Sequence, residues 1–179
     1  VRAFVAVEVP TPELPGVRGP SEGAPGHLTL LFLGEVPDAA VPALAGAFAQ
    51  AVAPEPPFDL RLQGLGTFPS DERPRILFAR IEEGADPLAR LHDRLVAVAR
   101  ENRLSVEDRP FVPHLTLLRV RSSADGALVR ELRSKFGSAP FGSARVAELL
   151  LKSSVLGRGG ASHRVEARLP LRGAVPPPG

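Results

Sequence analysis

Five residues occur twice in this chain: HLTLL at 27–31 and again, 87 residues later, at 114–118. Each copy spaces a histidine and a threonine two residues apart. On a β-strand that spacing puts both side chains on one face. Two imidazoles of ordinary pKa, ~6.5, can share one proton near neutrality, so one can act as a base and the other as an acid. In-line displacement at phosphorus needs attacking and leaving oxygens on opposite sides, and such a pair can serve both. Two threonine hydroxyls can donate to the non-bridging phosphate oxygens. His27, His114, Thr29 and Thr116 are therefore the candidate site, and this chemistry calls for no metal and no cofactor.

One His-x-Thr on its own reads as an ordinary strand start, because β-branched residues favour sheets. The duplication of both polar residues at one spacing changes that reading. Histidine is scarce, with 4 in the chain, and two of them lie in the repeat. A metal site competes weakly, since no HExxH helix and no carboxylate at ligand spacing accompanies them. His92 falls beside the apolar stripe of a helix and reads as a boundary residue. His163 follows Gly159–Gly160 and borders the cleft or plays a bland role.

The elements that must position these residues follow from periodicity. Arg2–Val9 alternates, with Ala3, Val5, Val7 and Val9 on one face and Phe4, Ala6 and Glu8 on the other, as a strand does. Residues 10–26 are rich in Pro and Gly and predict an irregular, mobile loop. Residues 27–36 predict a strand. Residues 38–53 predict a helix with Leu44, Phe48 and Val52 on one face and Pro42 confined to its first turn. Strands are expected at 57–68 and 75–82, around a turn at 69–74. The segment 86–102 predicts a helix with Asp86 as N-cap, Pro87 at the first position and Leu88, Leu91, Leu95 and Val98 as its stripe. A strand over 112–121 precedes a helix ending at Phe136, with Leu128, Leu132 and Phe136 on one face. Strands at 144–152 and 162–171 complete the order, and 171–179 reads as a flexible tail. Each repeat starts a strand, follows a Pro-containing turn and leads into a helix and a further strand. Two similar halves around a rough two-fold axis would bring the two His-x-Thr pairs to face each other across a cleft.

Composition sets the outer limits. The chain has 179 residues, 44 % hydrophobic and 23 % charged, which suits one globular domain over 1–179. No apolar run reaches the ~20 residues of a membrane helix, so no membrane partner is expected. Cysteine is absent, which excludes disulfides, thiolate metal sites and a cysteine nucleophile. With no recognisable export signal, a cytoplasmic location is the expectation. Nothing suggests an obligate partner, so a monomer is expected. The formal charge is +2 and the pI about 9.9, the latter inflated because 20 of the 22 basic residues are Arg. Arginines 73, 75, 158 and 164 are candidates for a cleft rim.

Read with their flanks, the two phrases resemble the 2H phosphoesterase superfamily, and most closely its RNA 2′,3′-cyclic phosphodiesterase family, also called 2′–5′ RNA ligase. The stretches that carry the likeness are VRAFVAVEVP, GHLTLLFLGEV, GLGTFPSDERPRILFARI, PFVPHLTLLRV and LLLKSSVLGRGGASHRVEARLPL. The resemblance implies a bilobal α+β fold, with antiparallel sheets lining a central cleft and helices outside. It implies hydrolysis of RNA ends or nucleosides bearing a 2′,3′-cyclic phosphate to 2′-phosphates, with reversible 2′–5′ ligation as the back reaction. His27 and His114 are carried over as the acid–base pair, and Thr29 and Thr116 as phosphate donors. The provisional order is His114 as base on water and His27 as acid to the 3′ oxygen. Arg119 matches a phosphate-binding arginine, but strict alternation puts it on the face opposite His114 unless the strand bulges near Leu118. Phe4 is a candidate base contact, with core packing as the plainer role. Two departures bear on substrate range: the Pro/Gly segment stands where the family has a helix, and His163 stands where it often has an aromatic residue. A non-catalytic RNA-end or nucleotide-binding module, or an enzyme for another small cyclic phosphate, would share this scaffold.

Overall fold

A computed structural model describes residues 1–18 and 26–173. The strands are β1 (Arg2–Val9), β2 (Gly26–Glu35), β3 (Phe58–Phe68), β4 (Ile76–Glu83), β5 (His114–Arg119), β6 (Pro140–Val146), β7 (Glu148–Gly157) and β8 (Gly160–Pro170). The helices are α1 (Val41–Val52), α2 (Ala85–Glu101) and α3 (Ser123–Phe136), with a short 3₁₀ turn, Asp38–Ala40, before α1. Two four-stranded sheets result, ordered β2-β1-β7-β8 and β5-β4-β3-β6, with every pairing antiparallel. The α+β architecture of two matching halves is therefore present. Each repeat strand is the edge of its sheet, and β2 and β5 pack against each other along the seam between the halves.

The helices form where the apolar spacing demands them. Leu44, Phe48 and Val52 of α1 are buried, as are Leu88, Leu91 and Leu95 of α2. They share one core with Val5, Val7, Leu28 and Leu31 of the first sheet and Leu60, Ala79 and Leu115 of the second. Burial of each such side chain contributes about 1.5–3 kcal/mol. One core lies beneath both sheets, so their opposite faces open on the same side of the seam. A smaller cluster joins Leu65 and Leu77 of the second sheet to Val129 and Leu132 of α3.

Several boundaries differ from the sequence expectation. Gly84, not Asp86, caps α2: its φ is +98°, and a Cβ there would meet the Asp59 carbonyl oxygen at 2.8 Å. Asp86 instead sits in the first turn, where a carboxylate complements the helix dipole. The inward side of α3 is Val129 and Leu132, with Leu128 and Phe136 half-buried at its edges. Ser122 caps that helix, accepting from the Asp125 N–H at 3.2 Å. The single strand expected at 144–152 is two strands in different sheets, β6 and β7, divided at Ala147. Apolar residues continue across the crossover, from Ala144, Val146 and Ala147 to Leu149–Leu151, so composition alone shows no break. β5 is shorter than expected, because Pro113 has no N–H for the ladder.

The loop after β1 is irregular, but its described part is anchored. Leu14 is buried with Leu65, Leu77, Val129 and Leu132, which ties the first half to the second. The remainder, 19–25, lies outside the described residues. So does most of the expected tail, 174–179. Leu171 is not loose: it is buried, its N–H bonds the Ala147 carbonyl, and Arg172 and Gly173 bond the carbonyls of Ala53 and Glu55. Among the described residues no helix is long and apolar enough to cross a membrane.

On the open face of the second sheet, Gly66 lies under the ring of Phe78, where a Cβ would collide with the ring carbons. Gly66→Ala therefore must push Phe78 away. The expected outcome is a loss of roughly 1–3 kcal/mol of unfolding free energy, read from urea melts, with a shifted His114 ring resonance.

Candidate active site

The register of the two edge strands decides what faces the open side. Residues directly opposite in an antiparallel pair share a face. In the first sheet Glu8 pairs with His27, Ala6 with Thr29 and Phe4 with Phe32, although Val5 pairs with Leu31. In the second Arg80 pairs with His114, Phe78 with Thr116 and Ile76 with Arg119, although Leu77 pairs with Leu118. Both strands thus carry a one-residue bulge after the threonine, at Leu30 and at Leu117. The repeat extends from five residues to an irregularity of the backbone.

That bulge resolves the position of Arg119. It flips the alternation once, so Arg119 rejoins His114 and Thr116 on the open face. In the first half the same bulge turns both Leu30 and Leu31 into the core and returns Phe32 to the open face, 64 % exposed. The halves differ at this matched position, one offering an aromatic ring and the other a guanidinium.

The two histidines sit in unlike surroundings. His114 is half-buried, and its Nδ1 lies 2.7 Å from the Val112 carbonyl oxygen. A carbonyl only accepts, so Nδ1 carries the proton and Nε2 is left for a ligand. The edges of Phe68 and Phe78 flank the ring at 5.1 and 5.4 Å, and those two phenyl rings stack on each other at 4.3 Å.

His27 meets charge instead. Its Nε2 lies 2.7 Å from Nζ of Lys152, which also donates to Oε1 of Glu8 at 3.1 Å. Lys152 is 4 % exposed. His163 stands beside it, with ring centroids 4.9 Å apart. Burial, then the positive charge of Lys152 and the neighbouring His163, lower the His27 pKa to about 4, against a smaller opposing pull from Glu8. Burial and Lys152 also lower that of His163. At neutral pH His27 is an unprotonated imidazole.

Phe4 takes the plainer of its two expected roles, core packing. It is 5 % exposed, and its ring packs edge-on against His163 at 5.2 Å and lies 6.2 Å from both His27 and Phe32. It is the floor of a cluster in which Phe32 and His163 are the accessible rings. His92 stacks on Phe111 at 4.3 Å. Arg164 pairs with Ser153, the neighbour of Lys152, so it points to the other face, where Glu166 holds it. Among the described residues no group of three or more His, Asp or Glu side chains is placed to hold a metal ion. The sequence reading passed over Lys152, Glu8, Phe68 and Phe78. A signal for Lys152 existed: it is one of two lysines in an arginine-rich chain and interrupts the run Leu149–Leu151.

Known proteins match this chain in sequence and in fold. The family described as the 2′-5′ RNA ligase superfamily matches residues 18–155. An RNA 2′,3′-cyclic phosphodiesterase of Aeropyrum pernix is 35 % identical over 139 residues, 77 % of each chain. One from Aquifex aeolicus is 31 % identical over 148 residues, 82 % of this chain and 78 % of that one. The solved structure of TT0787 of Thermus thermophilus superposes with a TM-score of 0.74 at 29 % identity, covering 97 % of this chain and 99 % of the other. The chain belongs to the 2′-5′ RNA ligase superfamily, the group its paired motifs resemble.

The depressed His27 pKa fixes the sign of a stability effect. Between pH ~6.5 and about 4 the unfolded chain protonates this imidazole and the folded chain does not. Its contribution to stability is complete above pH ~6.5 and lost as pH falls toward 4. His27→Gln should flatten that part of the stability–pH curve, as read from urea midpoints across the range, and an unchanged slope would contradict the assignment.

Proposed function

We propose that this protein hydrolyses RNA or nucleoside 2′,3′-cyclic phosphates to 2′-phosphates by acid–base catalysis between His27 and His114. The observation that carries this reading is the pair of His-x-Thr strands, bulged alike, whose polar faces open on one side of a common seam. Water attacks phosphorus as the P–O3′ bond breaks. The water proton passes to one imidazole, and O3′ takes a proton from the other. Exchange with solvent then restores both. Thr29 and Thr116 donate to the non-bridging oxygens, and Arg119 adds a cationic donor on the same face. The 2′–5′ ligation of such an end to a 5′-hydroxyl is the reverse of this chemistry. The activity named for the relatives supports the substrate class.

The surroundings of the two rings favour an order opposite to the provisional one. His27 is the unprotonated ring, with a lone pair on Nε2, so it suits the base. His114, its Nδ1 proton fixed on Val112, can carry a second proton on Nε2 and suits the acid. Phe32 and His163, floored by Phe4, lie on the His27 side and suit a nucleobase, since ring stacking contributes ~1–3 kcal/mol per base.

The test uses a short RNA ending in a 2′,3′-cyclic phosphate, incubated with the protein in excess EDTA. The expected product is the 2′-phosphate. His27→Ala and His114→Ala should each lower turnover roughly 100-fold to 10,000-fold. Full activity in both variants would refute the proposal, and tight binding without turnover in the wild type would favour a binding module. Plotted as kcat/KM, the wild-type profile should hold its acid limb below pH ~6.5, because that quantity reports the free enzyme.

A further inference from the structure

Lys152 is the least expected residue of this face. Burying an ammonium costs several kcal/mol unless charge and hydrogen bonds compensate. Leucine or methionine would fill the site without that cost. The other lysine, Lys135, is exposed and pairs with Glu131 within α3, as surface lysines do. Lys152 instead comes from the middle of β7 and meets two partners far away in sequence, Glu8 of β1 and His27 of β2.

We infer that Lys152 is a positioning residue for His27: it fixes the imidazole in one tautomer and occupies its Nε2 until a phosphate draws the ammonium away. The inference rests on the reading of His27 as an acid–base group. An ammonium has only donors to offer, so Nε2 of His27 must accept, and the ring proton sits on Nδ1. While that contact stands, the Nε2 lone pair is occupied and cannot take a proton from water. Glu8 secures the ammonium from the other side at 3.1 Å. Two of the three ammonium donors are thereby engaged among the described residues. An entering phosphate anion is a stronger acceptor for Lys152 than a neutral imidazole. Its arrival frees Nε2 and offsets the positive charge that, after burial, lowers the ring's pKa. The other titratable group facing His27 is His163 of β8, which adds to the same suppression when protonated. Arginine is the common cation of this chain, but its planar fork is built for bidentate acceptors, whereas a compact ammonium suits one ring nitrogen and one carboxylate oxygen.

The test reads the ring directly and does not depend on turnover. ¹⁵N-detected NMR of His27 in the wild type should show the Nδ1–H tautomer. In Lys152→Met the tautomer preference should weaken and the titration midpoint rise by roughly one unit, as removal of a neighbouring like charge requires. Lys152→Arg, which also offers only donors, should keep both the low midpoint and the Nδ1–H tautomer. Addition of inorganic phosphate to the wild type should move its His27 signals toward those of Lys152→Met. In kinetics on the cyclic-phosphate RNA, Lys152→Met should shift the acid limb of kcat/KM upward and raise KM. A purely structural lysine would change the melting midpoint and leave tautomer and titration alone. Identical His27 tautomer and midpoint in wild type and Lys152→Met would overturn the inference, and so would phosphate saturation that leaves the wild-type ring unmoved. If the RNA is not turned over, the kinetic arm fails with the proposed function, while the NMR arm still decides the role of Lys152.

Discussion

The molecule depends on the meeting of two sheet edges. An edge strand normally presents unpaired backbone groups that must be covered or blunted. Here β2 and β5, the edges that carry the repeat, pack against each other over one apolar core. That core holds Leu28 and Leu115 on its side of the seam and so commits His27, Thr29, His114 and Thr116 to the other. Each leucine between the polar residues is a packing residue, and each polar residue is aimed by the leucines that flank it. The bulges at Leu30 and Leu117 then turn Phe32 and Arg119 toward the same side.

A symmetric frame carries an asymmetric site. The matched positions on the neighbouring strands are Glu8 and Arg80, opposite the two histidines. Arg80 spends its Nε on the Leu65 carbonyl, and the His114 ring is bounded by phenyl edges. Glu8 supports a buried lysine, and the His27 ring is bounded by that lysine and a third imidazole. Two residues that alternation makes equivalent are thereby given different surroundings, and burial beside Lys152 lowers the pKa of His27. The proposed division of acid and base between them rests on that difference in neighbours.

The sequence reading reached the parts that local pattern determines. Both repeat strands and the α1 and α2 stripes follow from periods of two and 3.6. What escaped it was set by residues distant in the chain. Lys152 and Glu8 lie 144 residues apart, and only the β1–β7 pairing brings them together. Ala147 looks like the middle of one strand because both sheets bury the same kind of face. Gly84 takes the cap from Asp86 because Asp59 stands too close for any side chain. The bulge that places Arg119 was a condition the sequence could state but not decide. Leu171, assigned to the tail by its proline-rich neighbours, is held by a carbonyl at the β6–β7 crossover.

The central claim is that His27 and His114 work as one unit on one phosphate. The most direct measurement is kcat/KM for cleavage of a 2′,3′-cyclic-phosphate RNA by the two single alanine variants and by the double variant. Groups that share one step are non-additive when removed. The account predicts that the double variant is about as slow as the slower single one. Multiplying effects, or a double variant that still works as the wild type does, would contradict it.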